Sequence, residues 1–348
     1  MPTLRIIGVA LGIAAGVICG CADTDEPQGQ EGQGLQTTGE VTEYPLPFPQ
    51  SGPSTLSIAP NGDIWFTLSQ RNAIGRVRPD GSDYVEFPIP TPDSSPRIIA
   101  LGSDGNMWFS EHAGNKIGRI TADGEIDEFP FASADSEPRA IALSADGNIW
   151  VGLFAAGRIA RVRPNGEITE FDIPTPDSGP RALAAGPDGS VWFSEFKASK
   201  IGRITPEGDV TEFPLPRPNS GPGDITVGLD GNLWFVELAG SMDGLQPDGN
   251  RVGRITPDGD IREFAIPSAE GTPINIAAGP DGNVWYTKGS ALGRVTPDGD
   301  IDEFPIAQGA ARAVGLTAGS DRQPPERLTD RLWFTDPVNN RIGYLHFN

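Results

Sequence analysis

Apolar and polar positions alternate along this chain in short runs, four to a unit. In the stretch from Pro180 to Leu215 the runs lie around Ala182 (A), over Val191 to Ser194 (B), over Ile201 to Ile204 (C) and over Val210 to Phe213 (D). Each alternates or is β-branched, and each is closed by Gly, Asp, Asn or Pro, so each predicts a β-strand. A joins B through pairs such as Asn61-Gly62, Asp104-Gly105 and Asp188-Gly189, and C joins D through Pro79-Asp80-Gly81, Pro257-Asp258-Gly259 and their equivalents. These residues accept the positive φ of tight hairpins. Both sets of turns therefore belong on one face, and the longer B–C and D–A connections on the other. That second face is where a site is expected, because loops on a rigid scaffold carry function.

The four-run unit repeats. Tryptophan occurs only at positions 65, 108, 150, 192, 234, 285 and 333, with steps of 43, 42, 42, 42, 51 and 48 residues. One tryptophan per unit at a period in the low forties marks a β-propeller blade. The pattern predicts an all-β fold: a seven-bladed β-propeller of four-stranded blades. The last unit ends on a C run, Ile342 to Asn348, with no D run after it. The missing piece, Glu40 to Leu46, stands before the first complete unit and matches Asp209 to Leu215. The N-terminal strand is thus expected to complete the last blade, pairing an edge that would otherwise stay open.

Three segments follow: residues 1–20 as a signal peptide, 21–39 as a tether, and 40–348 as the propeller. Arg5 precedes an apolar stretch, Ile6 to Ile18, of signal-peptide length. Ile18-Cys19-Gly20-Cys21 looks like a bacterial lipobox, with Cys21 the lipidated residue and plain secretion as the rival reading. The following residues are rich in Gln, Gly, Glu and Asp, a flexible composition. These features place the protein in the bacterial cell envelope: outer membrane, periplasm or cell surface. Cys19 and Cys21 are the only cysteines. A mature chain lipidated at Cys21 has neither a disulfide nor a thiolate zinc site. The formal charge of −21 argues against nucleic acid or an anionic membrane surface as partner, leaving the lipid anchor as the membrane contact. A monomer is expected.

Residues that recur in every unit read as scaffold. The tryptophans are packing wedges between sheets, and the aromatics of strand D (Tyr44, Phe87, Phe129, Phe171, Phe213, Phe264, Phe304) pack with them. An arginine recurs on strand C, and each is expected to face the glutamate on strand D of its own blade, as Glu128 would face Arg119. The Asp-Gly pairs lack the carboxylate spacing of a calcium loop.

A site belongs where the units differ. Strand A, the innermost strand, begins with Thr55, Arg97, Arg139, Arg181, Asp224, Asn275 and Arg312 in turn, a ring at the channel mouth. Three arginines in consecutive blades are costly to cluster without an anionic partner. Strand B ends on Glu111 followed by His112, then on Glu195, Glu237, Lys288 and Asp336 in later blades. The mouth is therefore expected to gather Arg97, Arg139, Arg181, Arg312, Asp224, Asn275 and Lys288 as ligand-binding groups. Glu111, Glu195 and Glu237 are the candidate metal ligands. A self-satisfied ring of ion pairs is the structural alternative to a pocket for a small polar or anionic ligand. Glu111 and His112 are adjacent on a strand and so point to opposite faces. His346, at the chain's end, reads as structural.

The strings Trp108 to Glu111, Trp192 to Glu195, Asn115 to Ile120 and Pro174 to Arg181 resemble the streptogramin B lyase (virginiamycin B lyase) family, over residues 40 to 348. The resemblance implies a seven-bladed propeller that linearises cyclic depsipeptides by elimination across an ester, with Mg²⁺ assisting. It implies a catalytic histidine at the start of a strand A, following a glutamate and one further residue. The matching string here is Glu137-Pro138-Arg139: the glutamate is present and arginine stands in place of histidine. Arginine cannot act as a base at neutral pH, which leaves Glu137 and His112 as catalytic candidates. Three functions stand side by side: a non-catalytic binder, a Mg²⁺-dependent carbon–oxygen lyase acting on a cyclic peptide, and a lactonase-type hydrolase with metal-binding carboxylates.

Overall fold

The computed structural model describes residues 41–239, 248–269, 271–305, 313–319 and 331–347. Within them lie seven four-stranded antiparallel sheets and no helix. Six blades run in chain order: blade 1 starts at Pro53, blade 2 at Pro96, blade 3 at Pro138, blade 4 at Pro180, blade 5 at Pro222 and blade 6 at Pro273. Blade 7 takes Leu316–Gly319, Arg331–Asp336 and Arg341–His346 from the end of the chain, and Val41–Pro45 from its start. The closing register runs from Val41 opposite Leu345 to Pro45 opposite Arg341. The expected closure is formed, and this sheet is the seventh blade of the β-propeller.

Each blade leans on the next. Trp108 is almost fully buried and clusters with Ile141, Ile149 and Val151 of blade 3. It also stacks on Phe129 of its own blade, with ring centroids 5.7 Å apart. The same pair recurs from Trp65–Phe87 to Trp234–Phe264 at 5.4 to 5.7 Å. In the closing blade, Trp333 finds Tyr44 from the N-terminal strand at 6.3 Å. The outer face of every strand D aromatic but Phe304 is covered by a turn glycine of the following blade. Gly208, at φ +101°, lies so close to Phe171 that a Cβ would sit 2.3 Å from its ring. Gly is required there by both the conformation and the contact.

The strand C arginines bind differently from the sequence expectation. Arg119 does not face Glu128; the register sets it opposite Asp127, whose carboxylate it meets at 2.5 Å. Adjacent strand residues point to opposite faces, so Glu128 lies on the far side of the sheet. The guanidinium lies over Trp108 and Phe129 and donates to the Pro164 carbonyl of blade 3 at 2.9 Å. Arg76, Arg161, Arg203 and Arg254 reach the next blade in the same way, at 2.7 to 3.3 Å. The arginines are inter-blade staples.

The closing strand should carry much of the stability, because it supplies both Tyr44 and the edge pairing. Deleting residues 22–46 should lower the thermal midpoint far more than deleting 22–38, as measured by scanning calorimetry. Equal effects would show that closure is not the stabilising element.

Candidate functional site at the channel mouth

The mouth is shaped by a bulge at the start of strand A. In blade 2, Pro96 pairs with Glu111, but the next aligned pair is Ile99 with Phe109. Arg97 and Ile98 therefore both face Ser110. The shift recurs in blades 1, 4, 5 and 6, and in a shorter form at Arg139. An extra residue bends the strand and re-aims a side chain. It also strands an amide, which a buried hydroxyl on strand B recovers: Ile98 N–H donates to Ser110 Oγ at 3.1 Å, and Ala182 N–H to Ser194 Oγ at 3.1 Å. Thr67 and Thr287 do the same for Thr55 and Asn275.

The bulges bring Arg97, Arg139, Arg181, Asp224, Asn275 and Thr55 together around one cup of about 180 Å³. Ile98, Ile141, Leu183 and Val314 supply its apolar wall. Two of the arginines are braced by aromatic rings. The Arg139 guanidinium lies 3.8 Å from the Phe154 centroid, and that of Arg181 lies 5.1 Å from Phe196. The two rings, at 6.3 Å, form a cluster with Leu238. Arg139 is also tied to Glu137 at 2.9 Å. Asp224 accepts from the Asn275 side chain at 2.9 Å and the Ile276 amide at 3.0 Å, joining blade 5 to blade 6. Burial pushes its carboxyl upward, against the pull of those hydrogen bonds and of nearby Arg181. Thr55 plays the same joining role between blades 1 and 2, donating to Arg97 O and accepting from Ile99 N–H.

Glu137 precedes the blade 3 bulge with φ at +50°, where blades 1, 4 and 5 use Gly52, Gly179 and Gly221 and blade 2 uses Ser95. A long side chain held in the left-handed region costs on the order of 1 kcal/mol. The other expected groups lie elsewhere. His112 sits on the B–C turn, its amide donating to Ser95 O. His346 ends strand C of blade 7. Lys288 lines a separate crevice with Ser268 and Glu303. Arg312 lies outside the described residues. Phe154 and Phe196 were not anticipated. The signal for them was the residue just after strand B, which varies as Ser69, His112, Phe154, Phe196, Leu238, Gly289 and Pro337.

The sequence profile of the Virginiamycin B lyase family matches residues 24–142 and 132–348. The chain belongs to the virginiamycin B lyase family. A crystal structure of virginiamycin B lyase from Staphylococcus aureus is 36% identical, covers 88% of this chain and 99% of its own, and superposes with a TM-score of 0.80. A catalytically inactive histidine-to-alanine variant of that enzyme with quinupristin is 35% identical over the same shares, also at 0.80. A curated virginiamycin B lyase from Bordetella parapertussis is 46% identical over 43 residues, which is 12% of this chain and only 14% of that protein. The arginines directly follow the first proline of strand A in blades 2, 3 and 4, where blades 1, 5 and 6 carry Ser54, Gly223 and Ile274; Thr55, Asp224 and Asn275 stand one residue further on, and neither histidine of the chain lines the cup.

The mouth does not fit Mg²⁺. That hard cation wants octahedral oxygens, yet Glu137 is bound to Arg139 and Asp224 lies beside Arg181. Nor do Glu111, Glu195 and Glu237 converge as metal ligands. Each is buried in its own blade, and no group of three or more His, Cys, Asp and Glu gathers among the described residues.

What those glutamates do follows from charge balance within the blade. Every strand D carries a glutamate, and in blades 2, 3 and 4 one cation serves it: Lys116 for Glu128 at 3.0 Å, Arg158 for Glu170 at 3.2 Å and Lys200 for Glu212 at 2.9 Å. In blade 6 the strand C position is Ala291, and Lys288 supplies the charge from strand B, 3.7 Å from Glu303. Lys288 is therefore that blade's counter-ion, its own proton affinity lowered by burial. In blades 2 and 4 a second, fully buried carboxyl shares the cation of its blade, and in blade 5 Glu237 and Glu263 share Arg251 and Arg217. Glu111, Glu195 and Glu237 are each pushed up to about 8, by burial first and then by Glu128, Glu212 and Glu263.

A carboxyl whose proton is held more tightly in the folded state stabilises the fold at low pH and loses that contribution as pH rises. Stability should fall from about pH 5 to about pH 8.5. Glu195→Gln, which cannot ionise, should raise the thermal midpoint at pH 8.5 and change it little at pH 5. A parallel shift at both values would refute a neutral Glu195.

Proposed function

We propose that this chain is an exported, lipid-anchored member of the virginiamycin B lyase family that binds a small anionic ligand, through its carboxylate, at the channel mouth. The observation that carries this reading is the convergence of Arg97, Arg139 and Arg181 on one cup, with two guanidiniums braced on aromatic rings. A braced guanidinium is preorganised, so less freedom is lost when a carboxylate docks on its edge. The cup is smaller than the roughly 300–1,000 Å³ of sites that engulf a drug-sized ligand. It suits a small molecule or one end of a larger one.

Binding without elimination is supported by the absence of histidine at any described strand A start and by the placement of His112 and His346 away from the cup. The S. aureus relative whose histidine was replaced by alanine is described as inactive, and arginine cannot stand in as base. Incubation with quinupristin, followed by mass spectrometry, should leave the ring intact. In calorimetric titration against a panel of small carboxylates, Arg139→Ala should weaken binding by about 1.5–3 kcal/mol, the worth of a charge-assisted hydrogen bond. No carboxylate binding by the wild type would overturn the reading.

The strained backbone of Glu137 keeps a catalytic reading in play, since such strain gathers at functional sites. Ring opening at unchanged mass, lost on Glu137→Gln and on chelation, would establish a lyase; opening with the added mass of water would establish a lactonase-type hydrolase.

The anchor has a geometric consequence. Val41 lies opposite Leu345 at the end of strand C, so the chain enters the propeller on the hairpin-turn face. The charge of −21 keeps the body off anionic lipid and nucleic acid. Cys21→Ser should move the protein from the membrane to the soluble fraction; an unchanged membrane fraction would remove the anchor.

A further inference from the structure

The ring of strand A residues is not uniformly cationic. Arg97, Arg139 and Arg181 occupy blades 2, 3 and 4, and one residue further along the strand the cup is lined by Asp224 in blade 5 and by the neutral amide of Asn275 in blade 6. Arg181 and Asp224 are in adjacent blades and interact electrostatically. A cation and a carboxylate therefore line one cup side by side. In seven-fold order, Arg97 also stands across the channel from Asp224 and Asn275.

We infer that the cup takes a free α-amino acid, its carboxylate on the arginines of blades 3 and 4 and its ammonium on Asp224. This rests on the anionic-ligand reading above and narrows it. An α-amino acid carries its opposite charges on one carbon, which matches a sign change between neighbouring blades. Asp224 accepts hydrogen bonds from Asn275, Ile276 and Ile225. Two of these fall on Oδ2 and one on Oδ1, and a carboxylate offers about four acceptor positions, so a donor can still be taken. Burial works against its charge, and an arriving ammonium would offset that. The cup of about 180 Å³ holds a single residue, and a peptide, whose terminal ammonium and carboxylate lie on different residues, does not present both charges on one carbon. Ile98, Ile141, Leu183 and Val314 would receive a short aliphatic side chain.

The common amino acids are screened against the full-length protein by thermal shift. The strongest binder is then compared in calorimetry with its des-amino carboxylate and its decarboxylated amine. For leucine these are 4-methylpentanoate and 3-methylbutylamine. An aliphatic amino acid should bind, with the carboxylate at least about tenfold weaker, the loss of one charge-assisted hydrogen bond, and the amine undetectable. Asp224→Asn should bring the amino acid down to the affinity of its des-amino analogue. The ligand series on the wild type stands alone if that variant does not fold. A des-amino acid that binds as well as its amino acid would overturn the zwitterion and leave the carboxylate reading intact. Binding by neither would end both.

Discussion

No blade of this propeller can bury its own core. The tryptophan of one sheet is covered by the aliphatic side chains of the next, and the strand D ring of every blade but blade 6 is capped by a glycine turn from the following blade. Burial of that surface, at about 25 cal/mol per Å², is available only when every blade has a neighbour on both sides. The ring must therefore close, and the seam between Val41–Pro45 and Arg341–His346 is where it does. The seam is built with extra care. Blade 7 carries Tyr344 where other blades carry the strand C arginine, and Tyr44 and Arg331 together take over the carbonyl of Pro79 in blade 1. Asn340 also reaches across, accepting from the Ser51 amide and donating to the Phe48 carbonyl.

Closure makes a rigid channel, and the channel lets one local irregularity become a site. The strand A bulge costs a ladder bond in most blades. In blades 1, 2, 4 and 6 a buried Ser or Thr on strand B returns it, so the deviation is tolerated there without an orphaned amide. Because the bulge recurs at the same place in the ring, residues about forty positions apart in sequence share one cup. What differs between blades is then a side chain, not a backbone, and specificity can change without disturbing the fold.

The buried glutamates illustrate the other side of repetition. A strand D carboxylate and one cation form a self-contained unit in blades 2, 4 and 6, and the cation can move from strand C to strand B, as Lys288 does, because both positions reach the strand D glutamate. Adding a second acid to that unit, as at Glu111 and Glu195, leaves two buried carboxyls for one cation, and Glu237 is buried as deeply beside Glu263. The group answers by keeping its proton. This belongs to the energetics of the blade and its pH response, set back from the ligand cup.

Much was legible in the sequence. The tryptophan period, the turn residues and the displaced strand Val41–Pro45 determine a closed seven-bladed propeller, since hairpin chemistry and strand alternation are local and repeat. The opening residues of strand A point to the mouth for the same reason, and Arg97, Arg139, Arg181, Asp224 and Asn275 meet there. Tertiary structure decided what alternation cannot. A step of one residue moves a side chain to the other face, so Arg119 meets Asp127 and not Glu128. Strand B lies one strand out from the channel, so its terminal Glu and Lys turn into the blade and away from the cup. Whether a charge at a strand end serves a ligand or its neighbour depends on what packs against it, and packing between blades is a property of the closed ring alone.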